Sequence, residues 1–164
     1  MKKRFFILLI LLLSILILSG CVFTTNGESL EAFSQRMNNI NKNYNMTSEG
    51  YIVDTENREF TKFFRFSENE LMLNFKYDKK NRLNEMNIVF EPKILTEAPL
   101  SFIKDCIKCF VQNDETEKKI LTDSDFENAI KKINMKTICA ESDNIKMEID
   151  TTELGTVISI YRAI

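Results

Sequence analysis

The chain has 164 residues, 44% of them hydrophobic and 28% charged, with a formal net charge of −2. This length fits one domain, or two small ones at most. The absence of histidine excludes histidine-based triads, imidazole general bases and His-ligated zinc. The acidic balance argues against a nucleic-acid partner, because binding phosphates requires a basic face.

The first 20 residues have the pattern of a secretory signal peptide. Lys2, Lys3 and Arg4 precede an apolar run over residues 5–18 that only Ser14 interrupts. Fourteen helical residues rise about 21 Å, which is short of the roughly 30 Å hydrocarbon core of a bilayer. A basic head, a short apolar stretch and small residues after it are typical of a cleaved leader rather than a permanent membrane helix.

The leader ends in Leu18-Ser19-Gly20-Cys21. An aliphatic residue and two small ones before a cysteine resemble the lipobox of bacterial lipoproteins. The resemblance implies cleavage between Gly20 and Cys21 by a lipoprotein signal peptidase, and a thioether from Cys21 to diacylglycerol, with palmitate as a typical acyl chain. Two acyl chains hold a protein stably, at about 0.8 kcal/mol per buried CH₂, whereas one holds it marginally.

From this resemblance we expect a protein anchored by lipid to the outer, extracytoplasmic face of the cell membrane. Residues 1–20 are then the signal peptide, residues 21–28 a lipidated tether, and residues 29–164 a single domain. The alternative is an uncleaved signal anchor that contains a cysteine by chance.

Hydrophobic spacing predicts one helix and then four strands. A stripe at helical spacing begins after Ser29, which can cap the helix, and comprises Leu30, Phe33, Met37, Ile40 and Tyr44. The period changes to two over residues 50–91, with turn residues at 55–57, 67–69 and 78–81. Connections this short join antiparallel neighbours, which predicts a four-stranded meander.

The second half predicts two helices and three strands. Thr96 can cap a second helix, whose apolar face comprises Leu100, Ile103, Cys106, Ile107, Phe110 and Val111. Ser124 and Glu127 have capping-box spacing before a third helix, and residues 137–140, 145–149 and 157–161 alternate as strands. The order α-ββββ-αα-βββ predicts an α+β fold in which an antiparallel sheet has helices packed on one face.

Three cysteines remain besides Cys21. Cys106 and Cys109 form a CxxC pair inside the second predicted helix, whereas a redox CxxC works at the first turn of a helix. Side chains three apart on a helix have Cβ atoms about 5–6 Å apart, beyond the reach of a disulfide. We therefore predict that both pack as small apolar residues. A cross-link from Cys139 to one of them is an alternative, and a redox or metal role is another.

Two side-chain clusters could mark a surface site. Phe60, Phe64 and Phe66 alternate with Phe63, which predicts a strand covered on both faces; an exposed aromatic groove for a lipid, peptide or glycan is the alternative. A basic cluster surrounds one hairpin tip and comprises Lys76, Lys79, Lys80 and Arg82. We predict a solvated tip, with contact to anionic lipid headgroups or wall polymers as the alternative.

Enzyme chemistry has weak support in this sequence. The pairs Glu56/Glu59 and Asp123/Asp125 could be proposed for glycoside hydrolysis, but among 24 acidic residues such a choice is arbitrary. The spacing of Ser101 and Lys104 matches a Ser-x-x-Lys motif, yet both lie inside the second predicted helix. We predict no catalytic residue, no cofactor and no metal site.

The expected function is therefore non-catalytic binding of another envelope protein or a peptide, with main-chain pairing at a sheet edge. A carrier or sensor of an apolar ligand is the first alternative, and a hydrolase that uses only carboxylates is the second. The other expected partner is the membrane, reached through the lipid anchor.

Overall fold

The computed structural model describes residues 28–47, 49–67, 69–91, 96–112 and 145–162, together with the backbone of residues 135–141. Two α-helices and seven strands follow one another along these residues. In chain order they are α1 (Leu30–Ile40), β1 (Ile52–Asp54), β2 (Glu59–Phe66), β3 (Asn69–Tyr77), β4 (Leu83–Phe90), α2 (Glu97–Val111), β5 (Met135–Glu141), β6 (Ile145–Thr151) and β7 (Thr156–Arg162).

The strands form one sheet in the order β1-β2-β3-β4-β7-β6-β5, and every neighbouring pair is antiparallel. Two meanders, β1–β4 and β5–β7, are thus joined edge to edge between β4 and β7. This architecture confirms the predicted α+β class and antiparallel sheet. The predicted third helix, with Ser124 and Glu127, lies outside the described residues.

Helix α1 begins where its sequence predicts, but it ends at Ile40, before the last residue of the predicted stripe, Tyr44. The Ser29 hydroxyl oxygen accepts a hydrogen bond from the Ala32 backbone N–H at 3.2 Å, so the predicted N-cap is confirmed. The Asn38 side chain bonds both backbone groups of Met46, at 2.7 and 2.9 Å, and fixes the chain reversal after the helix. The predicted apolar stripe is wrong at Ile40, which is 44% exposed because the helix ends there.

Helix α2 begins directly after Thr96, as predicted, with two differences of detail. Thr96 occupies the N-cap position, but its side chain makes no capping hydrogen bond, contrary to the prediction. The buried face is wider than the predicted stripe, because Phe102 is buried as well. Gln112 ends the helix in a left-handed conformation, with its N–H bonded to the Lys108 carbonyl.

Both helices pack on one face of the sheet, here called the helix face. Alternate residues of the central strands point into this layer and are fully buried, which for each large side chain contributes about 1.5–3 kcal/mol. The buried sheet residues include Leu71, Leu73, Phe75, Met86, Ile88, Met147, Ile149, Ile158 and Ile160. The intervening residues form the outer face, which neither α1 nor α2 covers.

Glu28 belongs to the folded domain rather than to the tether alone. Its carbonyl oxygen accepts a hydrogen bond from the Leu83 N–H at 2.7 Å, and the two residues form an isolated antiparallel bridge. The domain therefore begins at Glu28, one residue before the predicted boundary. Glu28 contacts the domain at Leu83, the first residue of β4.

Candidate functional site

One edge of the sheet exposes apolar side chains. Strand β1 has only three residues and pairs with residues 59–61 of β2. In the part of the chain that the structure describes, no strand pairs with residues 62–66 along the edge of β2 that faces away from β3. Three large apolar residues are exposed at this edge, Ile52 at 63%, Val53 at 52% and Phe63 at 53%. These three residues are called the apolar edge below.

Phe63 corrects a prediction. Phe60, Phe64 and Phe66 point to the helix face and pack against the core, as alternation requires. Phe63 points to the outer face and is half exposed there, so the prediction that the strand is covered on both faces is wrong. The reason is the position of β2 next to a three-residue edge strand, where neither described helix reaches the outer face.

An apolar row runs inward from Phe63 across the outer face. The pairing registers place Phe63 opposite Met72, Met72 opposite Val89, and Val89 opposite Val157. Directly opposite residues of an antiparallel pair lie side by side on the same face. The exposed ring of Phe63 is therefore continuous with a partly buried apolar strip across four strands.

Polar ladders lie beside this row. The Asn74 side-chain amide donates to Thr61 at 3.0 Å and to Glu59 at 3.1 Å. Lys76 lies between Glu59 and Glu85, with nitrogen–oxygen distances of 3.9 and 3.2 Å. These partly exposed pairs each contribute little to stability, but they satisfy one another's charges. The outer face thus combines an apolar row with a hydrogen-bonded polar surround.

Lys62 fixes the loop next to the apolar edge. It points to the helix face, where its ammonium donates to the carbonyl of Glu49 at 3.0 Å and to that of Thr47 at 3.3 Å. The same nitrogen lies 4.9 Å from the ring centre of Tyr51 and 5.7 Å from that of Phe64. Burial lowers the pKa of Lys62, an effect that the nearby charge of Glu49 opposes.

The cysteines of α2 are packed as predicted. Cys106 and Cys109 are both buried and both free. Burial raises the pKa of Cys106 well above its usual value and, against the opposing charge of Arg36, raises that of Cys109 to about 11. A thiol in this state is a poor nucleophile and a poor metal ligand at neutral pH. Nothing is described of the Cys139 side chain.

The predicted basic cluster is divided by its partners. Lys76 is paired on the outer face, and Arg82 donates to Asp78 at 2.7 Å. Lys79 and Lys80 are exposed at the tip of the β3–β4 hairpin. Within this cluster, only these two lysines therefore present uncompensated charge.

The structure does not gather the candidate catalytic residues. Glu56 is exposed in the β1–β2 turn, while Glu59 is held by Asn74 and Lys76. Ser101 is exposed on α2, one turn from Lys104. Asp123 and Asp125 lie outside the described residues, as do Gly20 and Cys21.

Two broader properties concern the described residues only. No group of three or more Cys, Asp or Glu residues among them is placed to hold a metal ion. Neither α1 nor α2 is long and apolar enough to cross a membrane.

An arginine cluster at the C-terminal end of α2 was not predicted. Arg36 donates to the carbonyl oxygen of Cys109 at 2.9 Å and pairs with Glu28, and Arg162 donates to the carbonyl of Phe110. Cations near the last carbonyls of a helix oppose the negative end of its dipole. The sequence signal for such a cluster is absent, because Glu28, Arg36 and Arg162 come from three separate segments.

No family model, curated protein or solved structure matches the chain.

Proposed function

We propose that the protein is an extracytoplasmic lipoprotein, anchored through Cys21, whose domain binds an extended segment of an envelope protein or peptide at the apolar edge. In this proposal the domain acts by binding and not by catalysis. The single observation that carries it is the edge of β2 at residues 62–66 that faces away from β3. This edge has no described strand neighbour, and it lies between exposed apolar side chains.

The N-terminal sequence supports the anchor. Leu18-Ser19-Gly20-Cys21 follows a basic and then apolar leader, and Cys21 precedes the first described residue, Glu28, by seven positions. A connection of this length can extend over about 25 Å at most. A lipid on Cys21 would therefore hold the domain close to the bilayer surface.

The physical chemistry of sheet edges supports strand addition. Unpaired N–H and C=O groups along an edge are a template for another strand, and proteins usually protect such edges with charge, proline or short strands. Strand β1 is short, but Ile52 and Val53 beside it are exposed and apolar. An added strand would satisfy the backbone groups of residues 62–66 that point away from β3, and it would cover part of this apolar area.

The side chains along the edge suggest the character of the bound segment. A strand added beside β2 places alternate residues next to Phe63 and Arg65, both on the outer face and both exposed. Aromatic and β-branched residues are the favoured neighbours of an aromatic side chain across a strand pair, and an acidic residue is the favoured neighbour of arginine. We therefore expect a segment that places an aromatic or β-branched residue next to Phe63 and an acidic residue, two positions away, next to Arg65.

Packing on the helix face favours this proposal over a carrier of an apolar ligand. The Phe33 and Phe75 rings lie 5.0 Å apart between α1 and the sheet, and those of Phe64 and Phe102 lie 4.7 Å apart below α2. Such distances are those of rings in contact. A carrier instead requires an enclosed apolar space of several hundred Å³ between these layers.

Mass spectrometry of the mature protein tests the anchor. We expect an N-terminal peptide that begins at Cys21 and carries diacylglycerol, and a Cys21→Ala variant that keeps its leader and lacks the lipid. An unmodified thiol at Cys21 in the protein from its own membrane would refute the anchor.

Site-specific photo-cross-linking in intact cells tests the binding edge. A photoreactive residue at Ile52 should give a discrete product that contains an extended segment of another envelope protein or a peptide. The variant Phe63→Lys should abolish that product, because a charge next to the edge opposes strand addition. The matched variant Leu154→Lys changes a residue that is 92% exposed in the β6–β7 turn and should leave the product unchanged. Equal products from Phe63→Lys and Leu154→Lys would refute the site.

A further inference from the structure

The site where the chain enters the domain lies beside a basic hairpin. The Glu28 carbonyl bonds the Leu83 N–H at 2.7 Å, and the Glu28 side chain accepts from Gln112 at 2.6 Å and pairs with Arg36. Leu83 is the first residue after the β3–β4 turn, residues 78–82. Main-chain and side-chain contacts therefore fix the end of the tether at the base of this hairpin.

Hydrogen bonds to Asp78 hold the backbone of the hairpin tip, which presents Lys79 and Lys80. Asp78 accepts hydrogen bonds from the N–H groups of Lys80 and Arg82, at 2.8 and 3.0 Å, and binds the Arg82 guanidinium. Against the opposing effect of burial, these hydrogen bonds lower the pKa of Asp78. Because the charge of Asp78 is thus engaged by Arg82, Lys79 and Lys80 give the tip a net positive charge.

The two ends of the domain differ in charge. The hairpin end also holds the β1–β2 turn, since the Arg58 carbonyl bonds the Tyr77 N–H at 3.1 Å. This turn carries Asp54, exposed Glu56 and Arg58, one net negative charge, so the two turns together keep one net positive charge from Lys79 and Lys80. The opposite end holds the β6–β7 turn with exposed Glu153 and the start of α2 with exposed Glu97. An eight-residue strand such as β4 spans about 26 Å, so the two ends are well separated.

We infer that the hairpin end faces the membrane and that Lys79 and Lys80 bind the headgroups of anionic phospholipids. The inference rests on the proposed anchor at Cys21. A tether of at most about 25 Å that ends at the base of the hairpin keeps both lysines within reach of the bilayer surface. Screening limits the attraction to about 8 Å at physiological ionic strength, so only this end of the domain is affected.

The size of the effect follows from two charges. Each lysine near an anionic surface favours the bound orientation by about fivefold, so the pair favours it by about 25-fold. The reversed orientation would place Glu97 and Glu153 against the same surface, which is unfavourable. The apolar edge then faces sideways, where a partner in the envelope can reach it.

Energy transfer from a single tryptophan measures this orientation, because the chain contains no tryptophan of its own. Lipidated protein purified from its own membranes, with Thr55→Trp at the hairpin end or Leu154→Trp at the opposite end, is placed in vesicles that carry a dansyl-labelled headgroup lipid. The vesicles contain phosphatidylcholine alone or with phosphatidylglycerol. We expect stronger transfer from Thr55→Trp, and a difference that increases with phosphatidylglycerol and disappears in about 1 M salt.

Charge reversal then assigns the effect to the hairpin. Adding Lys79→Glu and Lys80→Glu to the Thr55→Trp protein should remove the part of the transfer that depends on phosphatidylglycerol. The matched set Asn39→Asp, Lys42→Glu and Leu154→Glu changes the net charge equally at exposed positions and should preserve it. Equal transfer from both tryptophans, or equal loss from both sets of charge changes, would overturn the inference.

The two proposals can fail separately. Protein that carries the lipid on Cys21 but gives equal transfer from both tryptophans overturns the membrane-facing hairpin and leaves the anchor intact. Protein that lacks the lipid overturns both, since the tether then no longer brings the hairpin to the bilayer. Transfer that is unequal but independent of phosphatidylglycerol overturns the role of the two lysines.

Discussion

Replacement of Lys62 by methionine tests how the loop beside the apolar edge is held. Lys62 points to the helix face, and its ammonium bonds the carbonyl oxygens of Glu49 and Thr47 at 3.0 and 3.3 Å. It also lies 4.9 Å from the ring centre of Tyr51. Methionine keeps the apolar stem of the side chain and removes only the charged donor.

The expected loss follows from these contacts. A hydrogen bond from a charged donor contributes about 1.5–3 kcal/mol, and an exposed cation–π contact adds about 0.5–1 kcal/mol. Part of this gain is offset, because burial of the ammonium carries a desolvation penalty that also lowers the pKa of Lys62. The two carbonyl oxygens belong to an exposed loop, where water can replace the lost donor. We expect Lys62→Met to lower the free energy of unfolding by about 1 kcal/mol.

Urea unfolding followed by circular dichroism measures this change, and hydrogen exchange locates it. The midpoint should fall without a change in the m-value, because the surface exposed on unfolding stays the same. Amides of residues 45–51 should exchange faster, while those of β3 and β4 change only by the global difference. The control Lys42→Met removes an exposed lysine and should alter stability by less than about 0.5 kcal/mol. A Lys62→Met protein as stable as the parent, with unchanged exchange in residues 45–51, would refute this account of the loop.

Three further changes test the core and the helices. Phe102→Ala should lower the free energy of unfolding by about 3–5 kcal/mol in urea denaturation, because its buried ring contacts three others at 4.7–5.2 Å. Stability should fall as pH rises from 9 towards 11, since burial raises the pKa of Cys109 from 9.0 to about 11 and its neutral thiol is favoured in the fold. Cys109→Ala should flatten that decline by about 2 kcal/mol, and an equally steep pH dependence would contradict the assignment. Ser29→Ala should cost about 1 kcal/mol through loss of the N-cap, and an unchanged urea midpoint would count against it.

The local parts of the fold could be predicted from the sequence. The meander β1–β4 follows from period-two alternation and from turns such as residues 78–81, both of which depend only on neighbouring residues. The N-cap at Ser29 and the bounds of α2 are local in the same sense. The same patterns indicate which side of each strand is buried.

Features that depend on non-local position could not be predicted. Alternation places Phe63 on the face of the sheet opposite to Phe64 and Phe66. Its exposure, however, follows from the shortness of the neighbouring strand β1, and the sequence pattern does not reveal that length. Lys62 lies on the buried side of β2, where a lysine is expected only if a loop supplies acceptors. Those acceptors come from residues 45–49, which precede the sheet and are brought to Lys62 only by the complete fold. The apolar edge, where we propose that a partner binds, could therefore be identified only from the structure.

The seam between β4 and β7 has a consequence for biogenesis. Val89 pairs with Val157, which lies 68 positions later in the chain. Within each meander, by contrast, the paired strands follow one another directly in the sequence. Pairings between distant segments form late, because a long loop must close first. If the chain emerges from a translocation channel with its N-terminus first, β4 waits with one side unpaired until the last strand arrives. During that interval the half-built sheet is open to wrong pairing, so export as a lipoprotein, as we propose, should depend on a chaperone that shields an unfinished β4.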